Sequence, residues 1–520
     1  VVGIAALNLV FDFDGSVDFS TPNLQRYDFE AELRKANIVK INWSQRDSST
    51  QLKGKLSVNL VGNEFEDLDG ELKLKDILWR EHGKTYNVDS FHLTSVKEKT
   101  RELIVLNSDL IHGKIEGNYN LGEIYPTIIN VFSNGIPSLV KTVELENFKG
   151  GNNFNVMFKL FNYEIINKLF TPELNFANNT RLSGRFNDNN KSFTLQVASD
   201  SIQINQRKIN GIKLFTNNSG ETLNLNGKAS YIQVVNQVGI ENFSIKSSVD
   251  SNMIDFQIGY NNSNSSPTFG NIKGNLNLNN LDTIKLGIGT SKIVYRDALW
   301  KVDTTAFAEI SSNYINVQNL NFNSSDQFFN IHGIASENSE DHIDFTMNNF
   351  QMSGVQYFWN YLNLDITGRA TGSLRLNGAF DDQLFTSNLE VNQMTLNTQE
   401  LGKVLLSTHF LQSDGTINVD LTVNGTSKTN PLKNLVLKGK YFPYEGDRLE
   451  MSANLKNTQL KFLEKYFDGV LSKFNGGKTS GKLEIKGTVG HPELYGSLKV
   501  DQLEFSIDYL NVTESVNGQK

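Results

Sequence analysis

Apolar and polar residues alternate along almost the whole chain. Clear examples are residues 56–60, 276–278, 284–288 and 483–485, where Leu, Ile or Val occupies every second position. Because successive side chains of a β-strand point to opposite faces of a sheet, this period of two predicts strands with one apolar and one polar face. Parallel sheets that helices cover on both faces show continuous apolar runs instead, so the pattern favours an antiparallel, all-β fold.

The strand pattern recurs as imperfect repeats. Residues 372–378 (Gly-Ser-Leu-Arg-Leu-Asn-Gly) and 481–487 (Gly-Lys-Leu-Glu-Ile-Lys-Gly) match at an offset of 109, and the match continues into the following strand. Other copies begin near 54, 184 and 274, so the spacing between copies is uneven. A strict solenoid holds a tighter period. We therefore expect residues 1–520 to form one continuous, elongated sheet built of irregular repeats.

Three short segments show helical spacing. They cover residues 463–474, 355–362 and 165–170, where apolar residues recur three and four positions apart. An amphipathic helix beside a one-sided sheet has to bury its apolar stripe. We expect these helices to cover part of the sheet's apolar face, and a role as a mobile gate is the alternative.

Composition supports a folded, strand-rich chain and excludes several functions. The 34 Phe and 16 Tyr residues argue against disorder, although the hydrophobic content is only 38%. The net charge is −8, whereas a protein that binds nucleic acid needs a surface rich in basic residues to contact the phosphates. Without Cys, disulfide frameworks, thiolate metal sites and Cys nucleophiles are excluded.

Membrane insertion through a helix is not predicted for this chain. No apolar run reaches the roughly 18 residues that a membrane-spanning helix needs. Because the sequence begins without Met and without a basic leader, we expect it to be a piece of a longer protein whose targeting segment lies outside it. Neither a membrane anchor nor a partner-binding C-terminal region is recognisable in it.

Candidate catalytic chemistry is sparse. The seven His residues form no close cluster, and His342, which lies between Asp341 and Asp344, could contribute to an acidic site. Residues 12–15 (Asp-Phe-Asp-Gly) resemble the start of a calcium loop but lack its later ligands, so a hairpin turn is the better interpretation. We predict no catalytic residue, metal or cofactor and no enzymatic activity.

The predicted apolar face needs a cover, because the few predicted helices are too short for it. Either the sheet packs on itself as a closed core, or it curls into an open trough whose apolar lining binds a ligand. In the second case the alternating residues of the best repeats line the groove. These residues are Leu56, Val58, Leu60, Leu72, Leu74, Leu374, Leu376, Leu389, Val391, Leu483, Ile485, Leu498 and Val500.

A family resemblance favours the trough. The repeated Gly-x-Leu-x-Leu-x-Gly element, followed by a short loop and a Gly-x-Leu-Lys-Val-like strand, resembles the TamB family within the AsmA-like, bridge-like lipid-transfer group. Residues 481–505, with His-Pro-Glu-Leu-Tyr-Gly at 491–496, are the closest match. Residues 103–117 and the Asn- and Lys-rich composition also look like the Bacteroidota branch of that family.

This resemblance implies a fold, a location and partners. It implies a U-shaped, curled β-sheet (a β-taco) whose apolar groove carries phospholipid through the periplasm of a Gram-negative bacterium. It also implies an inner-membrane anchor outside this segment, and an Omp85-type (TamA-like) outer-membrane barrel as the partner in outer-membrane biogenesis, as in the translocation and assembly module. Acyl chains would slide along the groove without any chemical step, each buried CH₂ contributing about 0.8 kcal/mol.

Two other functions remain open at this stage. A surface or periplasmic adhesin or carbohydrate-binding scaffold would have a closed, dry core and clustered exposed aromatic residues, such as Trp43 or the pair Tyr357 and Trp359. An outer-membrane protein would need apolar strands of about 10 residues between aromatic girdles. The Phe and Tyr residues are scattered along the chain, which counts against the latter.

Overall fold

The fold was analysed in a computed structural model. It describes residues 2–21, 24–42, 49–63, 68–98, 101–133, 135–140, 148–161, 163–170, 173–205, 207–235, 238–262, 268–295, 298–302, 306–356, 365–380, 384–396, 399–411, 414–424, 433–459, 471–507 and 512–516. Strands dominate these residues, as the alternation predicts, and the all-β fold class is confirmed.

The described chain divides into two compact units. The N-terminal unit comprises Val1–Ser265 and Phe269–Leu281, and the C-terminal unit comprises Ser266–Thr268 and Asp282–Lys520. Within each unit the paired strands are antiparallel, and most strands pair with their neighbours in sequence.

The N-terminal unit consists mainly of β-strands: β1 (Val2–Ala6), β2 (Leu9–Asp18), β3 (Arg26–Asn37), β4 (Gln51–Val61), β5 (Asp69–Glu81), β6 (Lys84–Glu98), β7 (Arg101–Ser108), β8 (Ile111–Asn118), β9 (Asn153–Leu160), β10 (Leu174–Phe176), β11 (Arg181–Asn187), β12 (Ser192–Ile204), β13 (Arg207–Ser219), β14 (Thr222–Val235), β15 (Val238–Asp250), β16 (Met253–Asn262) and β17 (Thr268–Asn277). Three helices interrupt them: α1 (Ile124–Phe132), preceded by a 3₁₀ turn (Leu121–Glu123), α2 (Pro137–Val140) and α3 (Tyr163–Phe170).

The C-terminal unit continues the same pattern: β18 (Thr283–Ile288), β19 (Ser291–Tyr295), β20 (Ala298–Val302), β21 (Phe307–Ser311), β22 (Tyr314–Ser324), β23 (Gln327–Ser336), β24 (His342–Gln351), β25 (Ile366–Asn377), β26 (Leu384–Leu396), β27 (Gln399–Leu411), β28 (Thr416–Asn424), β29 (Lys433–Phe442), β30 (Arg448–Gln459), β31 (Leu471–Gly487), β32 (Pro492–Ile507) and β33 (Val512–Val516). A 3₁₀ turn (Met352–Val355) follows β24.

The predicted helices have mixed outcomes. Helix α3 confirms the prediction for residues 165–170. Residues 357–364 and 460–470 lie outside the described residues. The end of the helix predicted for residues 463–474 is wrong, because Leu471 already belongs to strand β31. Residues 12–15 are also not a turn, since they continue strand β2. Helix α1 was not predicted.

The repeat at offset 109 is visible in the pairing of strands. In the hairpin β25–β26, Gly372 lies opposite Leu389, and in β31–β32 Gly481 lies opposite Leu498. Both glycines have positive φ, 136° and 154°, and a Cβ on either would overlap a carbonyl oxygen of the neighbouring strand. The sequence repeat therefore encodes a close approach of two backbones, which only glycine permits.

Bulges recur at nearly the same spacing, at Asn349 and Asn457, which are 108 residues apart. In β24 the residue Asn349, with φ 51°, donates its backbone N–H to Thr371 Oγ1 at 2.9 Å. In β30 the residue Asn457, with φ 50°, donates to Ser480 Oγ, also at 2.9 Å. An extra residue in one strand bends that strand and increases its twist. The hydroxyl-bearing residue before each repeat glycine thus fixes a bulge in the preceding strand.

Candidate apolar binding face

Apolar side chains lie directly opposite one another across the strands of the N-terminal unit. We call this set the N-terminal apolar row. Following the register from β3 to β16, it consists of Phe29, Val58, Leu72, Leu93, Leu106, Gly113, Phe158, Leu182, Val197, Leu214, Gly227, Ile245 and Ile258. No polar residue interrupts it. Where glycine occurs, a large neighbour fills the space: a Cβ on Gly113 would meet the ring of Phe158.

The C-terminal unit contains an equivalent set, the C-terminal apolar row. From β20 to β32 it consists of Val302, Phe322, Phe329, Met347, Gly372, Leu389, Leu406, Leu421, Leu437, Ala453, Leu483 and Gly496. Directly opposed pairs of this kind are the unit of sheet stabilisation. Each unit therefore has an apolar face that extends across many strands.

The opposite face is polar. One register position away from the C-terminal apolar row, from β22 to β32, the residues are Asn321, Asn330, Thr346, Ser373, Asn388, Ser407, Asp420, Lys438, Ser452, Glu484 and Tyr495. Because side chains alternate between faces, a shift of one residue would exchange the two sets. The difference in polarity fixes the register and defines which face is available to an apolar ligand.

The apolar rows are only partly shielded from solvent. Val58, Met347 and Ala453 are buried, whereas Leu72, Leu389 and most other row members are half-buried. In the C-terminal unit, the described core clusters are built from strand residues and Met352 of the 3₁₀ turn, with no α-helix among the described residues packed on them. The face thus keeps exposed apolar surface, which marks binding sites in soluble proteins.

All thirteen predicted lining residues lie on β4, β5, β25, β26, β31 and β32, and none is exposed. Val58 opposes Leu72, and Leu56 opposes Leu74, so the five N-terminal residues form one patch. In the C-terminal unit, Leu389 and Leu483 belong to the same apolar row. Their role as a lipid-binding lining stays a prediction.

The remaining predicted residues flank the C-terminal apolar row, and some meet polar partners. Leu376 opposes Phe385, and Ile485 opposes Leu494, which are the same pairs at offset 109. Leu374 opposes Ser387, whose hydroxyl lies 3.0 Å from that of Thr408. This hydroxyl pair satisfies itself, so the apolar face tolerates it.

Sequence reasoning missed most of the row and also helix α1. Phe158, Leu182 and Val197 were not singled out, although residues 153–158 alternate clearly. Alternation identifies a face, but the partners across strands follow from register, which loops and bulges set. These residues can be identified once the pairing of the strands is known.

Charged groups on the polar face pair with each other. Arg375 donates two hydrogen bonds to Asp344, at 2.7 and 2.9 Å, and Nε2 of both His332 and His342 lies 3.7 Å from the same carboxylate. Burial alone would raise the pKa of Asp344, but the Arg375 guanidinium outweighs it and holds that pKa below its usual value. The described residues contain no group of three or more His, Asp or Glu side chains arranged to hold a metal ion.

The aromatic residues that an adhesin would expose, Trp43, Tyr357 and Trp359, lie outside the described residues. Among the helices that are described, none combines the length and the apolar character needed to cross a membrane. No family model matches the chain, and no curated protein is significantly similar to it in sequence.

Proposed function

We propose that the apolar faces bind the acyl chains of phospholipids and let them move along the rows, so that the protein carries lipid without a chemical step. The observation that carries the proposal is the uninterrupted C-terminal apolar row, which is half-buried and has no described α-helix packed on it. A closed scaffold has no need for an apolar surface of this extent that stays partly accessible.

The chemistry of the two faces fits a two-tailed lipid. Leu, Val, Phe and Met contact hydrocarbon, and each CH₂ buried contributes about 0.8 kcal/mol. An even lining gives successive positions similar free energies, which keeps the barriers between them low. Ionic head groups stay in water, because the cost of burying an unpaired charge is high.

The setting follows from the resemblance to the TamB family. The resemblance supports a periplasmic protein that is linked to the inner membrane by a segment outside this chain and to an Omp85-type barrel in the outer membrane. Under this proposal the protein takes part in outer-membrane biogenesis and has no catalytic residue.

Photo-crosslinking tests the proposal. A photoreactive residue is placed at Leu376 or Ile485, on the apolar face, and at Arg375 or Glu484, their neighbours on the polar face, and the protein is purified natively for lipid mass spectrometry. We expect phospholipid adducts at the first pair of positions only. Equal labelling of both faces, or no co-purified lipid, would refute a lipid-binding face and favour the adhesin or carbohydrate-binding scaffold.

A substitution pair extends this test. Leu376→Asp with Ile485→Asp places two carboxylates beside the row and should abolish adduct formation, while the protein stays folded because both positions are half-buried. Loss of folding in this variant would show that the two side chains act as ordinary core.

A further inference from the structure

Helix α1 covers one end of the apolar face in the N-terminal unit. Five buried residues, which we call the edge row, lie at the strand ends nearest this helix. They are Phe154, Phe186, Phe193, Leu223 and Val249. Phe154 opposes Phe186, Phe186 opposes Phe193, and Leu223 opposes Val249, so the edge row runs parallel to the N-terminal apolar row on the same face.

The helix buries its apolar stripe against the edge row. Val131 and Phe154 are each 1% exposed and belong to one core cluster. The ring of Phe132 lies 4.4 Å from that of Phe193, and Ile124 and Ile128 pack on the same cluster. The outer side of the helix carries Tyr125, which is 63% exposed.

Two asparagines, Asn152 and Asn252, form hydrogen bonds at the two ends of the segment that contains α1 and α2. Asn152 donates from Nδ2 to Glu123 Oε2 at 2.9 Å, and Glu123 Oε1 accepts the backbone N–H of Lys149 at 3.0 Å. At the other end, Asn252 Oδ1 accepts the backbone N–H of Ser138 at 2.9 Å, and its own N–H donates to Gly135 at 2.8 Å. We call these two groups of hydrogen bonds the Glu123 and Asn252 anchors. Both lie outside the apolar contact.

Hydrogen bonding is less complete inside the contact between the helix and the edge row. Among the described residues, the buried hydroxyl oxygens of Tyr119, Thr127 and Ser138 have no hydrogen-bond partner. Thr127 belongs to α1 and Ser138 to α2, and Tyr119 lies just before the 3₁₀ turn that precedes α1. A buried hydroxyl without a partner loses its hydration and gains nothing in return. The closed arrangement therefore combines good apolar packing with an internal polar penalty.

We propose that α1 is a displaceable cover and that an acyl chain takes its place on the edge row. This inference rests on the proposed function. Hydrocarbon offers Phe154, Phe186 and Phe193 the contacts that Val131 and Phe132 supply, and it carries no hydroxyl group. Displacement returns the three hydroxyls to water, and the Glu123 and Asn252 anchors set how readily the segment leaves.

A reversible lock tests the displacement. The natural chain has no Cys, so a pair introduced as Gly135→Cys and Leu223→Cys reacts only with itself. A Cβ on Gly135 would touch the Leu223 side chain, which brings the two positions within disulfide range. In the same protein Phe186 is replaced by a photoreactive phenylalanine analogue, and a second preparation carries the photoreactive residue at Leu376 instead. Both are incubated with phosphatidylethanolamine vesicles.

We expect a lipid adduct at position 186 in the reduced protein and at least a tenfold lower yield in the oxidised protein, while the adduct at 376 is the same in both. An adduct at 376 without one at 186 in either redox state, or equal yields at 186 in both states, would overturn the displaceable cover and leave the proposed function intact. Absence of adducts at both positions would overturn both.

Hydrogen exchange gives an independent measure. Thr127→Val removes one unpartnered hydroxyl at constant volume and should slow exchange of the α1 amides about tenfold. Glu123→Ala removes an anchor and should speed it, whereas Tyr125→Gln, on the exposed side, should leave it unchanged. Unchanged or faster exchange in Thr127→Val would contradict the polar penalty and with it the cover.

Discussion

The two units differ in whether the strand ends of their apolar faces are covered. In the N-terminal unit the residues nearest the strand ends are buried under α1, with Phe193 only 2% exposed. In the C-terminal unit, Phe385 and Leu494 occupy comparable places beside hairpin turns and are 54% and 55% exposed. An apolar face thus does not reveal whether it is covered, because the cover is contributed by a separate insertion.

The difference separates two functions of apolar residues. Under α1 they are buried against a helix, and this burial stabilises the covered arrangement. Along the C-terminal apolar row most side chains are only half-buried, so their contribution to stability is smaller. Substitutions that act differently in the two units test this separation.

The largest effect is expected under the helix. Val131→Asp buries a carboxylate in the main core cluster and should cost about 4 kcal/mol or more of unfolding free energy, which opens the N-terminal unit. Hydrogen exchange read separately for the two units measures it. Tyr125→Asp on the exposed side of the same helix is the matched control, and equal losses in both variants would contradict a buried α1 contact.

A second pair of substitutions acts on a feature that two hairpins of the C-terminal unit share. Gly372→Ala and Gly481→Ala should each cost about 2 to 3 kcal/mol, because the new methyl group meets the neighbouring carbonyl and φ is positive. Denaturant titration measures this loss of unfolding free energy. Gly490→Ala, at a position with no atom near its Cβ, should change stability by less than about 0.5 kcal/mol. A small effect at 372 and 481 would mean that the strands relax apart.

Acidification should loosen α1 selectively. Burial alone would raise the pKa of Glu123, but hydrogen bonds from Asn152 and from the N–H groups of Lys149 and Gly150 outweigh it, so the pKa lies below its ordinary 4.5. A lowered pKa gives stability that is present above the ordinary value and lost as the pH falls through the lowered one.

Exchange of the α1 amides should therefore be constant between pH 7 and about pH 5, after correction for intrinsic rates, and rise below pH 4.5 by an amount equivalent to less than about 1 kcal/mol. Glu123→Gln should flatten the profile; an unchanged profile would assign the pH dependence to other groups.

The smallest effect on stability is expected at the exposed end of the C-terminal unit. Phe385→Ser and Leu494→Ser should change the unfolding free energy by about 0.5 kcal/mol or less, since both side chains are more than half exposed. The same changes should lower lipid adduct formation at Leu376, which opposes Phe385. A large loss of stability here would show that something covers this end as well.

Much of this architecture was accessible from the sequence. Alternation predicted the strands and the apolar face, and the repeat at 372 and 481 predicted two hairpins that have the same register. Helix α1 was missed because Ile, Thr and Val dominate residues 124–132, and such β-branched residues favour strands. Pro126 is tolerated there because it lies in the first turn. These residues form a helix because of tertiary packing on the edge row, and the local sequence alone does not specify it.

Register was equally inaccessible. The bulges at Asn349 and Asn457 depend on hydroxyl groups in the next strand, Thr371 and Ser480. Their effect is to realign whole strands, so the membership of the apolar rows follows from contacts distant in the sequence. This explains why alternation identified apolar strand residues while most of the row was not identified.

The order of pairing from β22 to β33 has a consequence for how such a chain changes in length. Each strand in this series bonds to the strands before and after it in sequence. Stability is then close to a sum of nearest-neighbour terms, and the paired strands are adjacent in sequence, which favours stepwise folding. Adding or deleting one hairpin lengthens or shortens the series by about 9.6 Å and leaves the other pairings intact. Evolution can therefore adjust the span of this sheet in whole hairpins, without redesigning its interior.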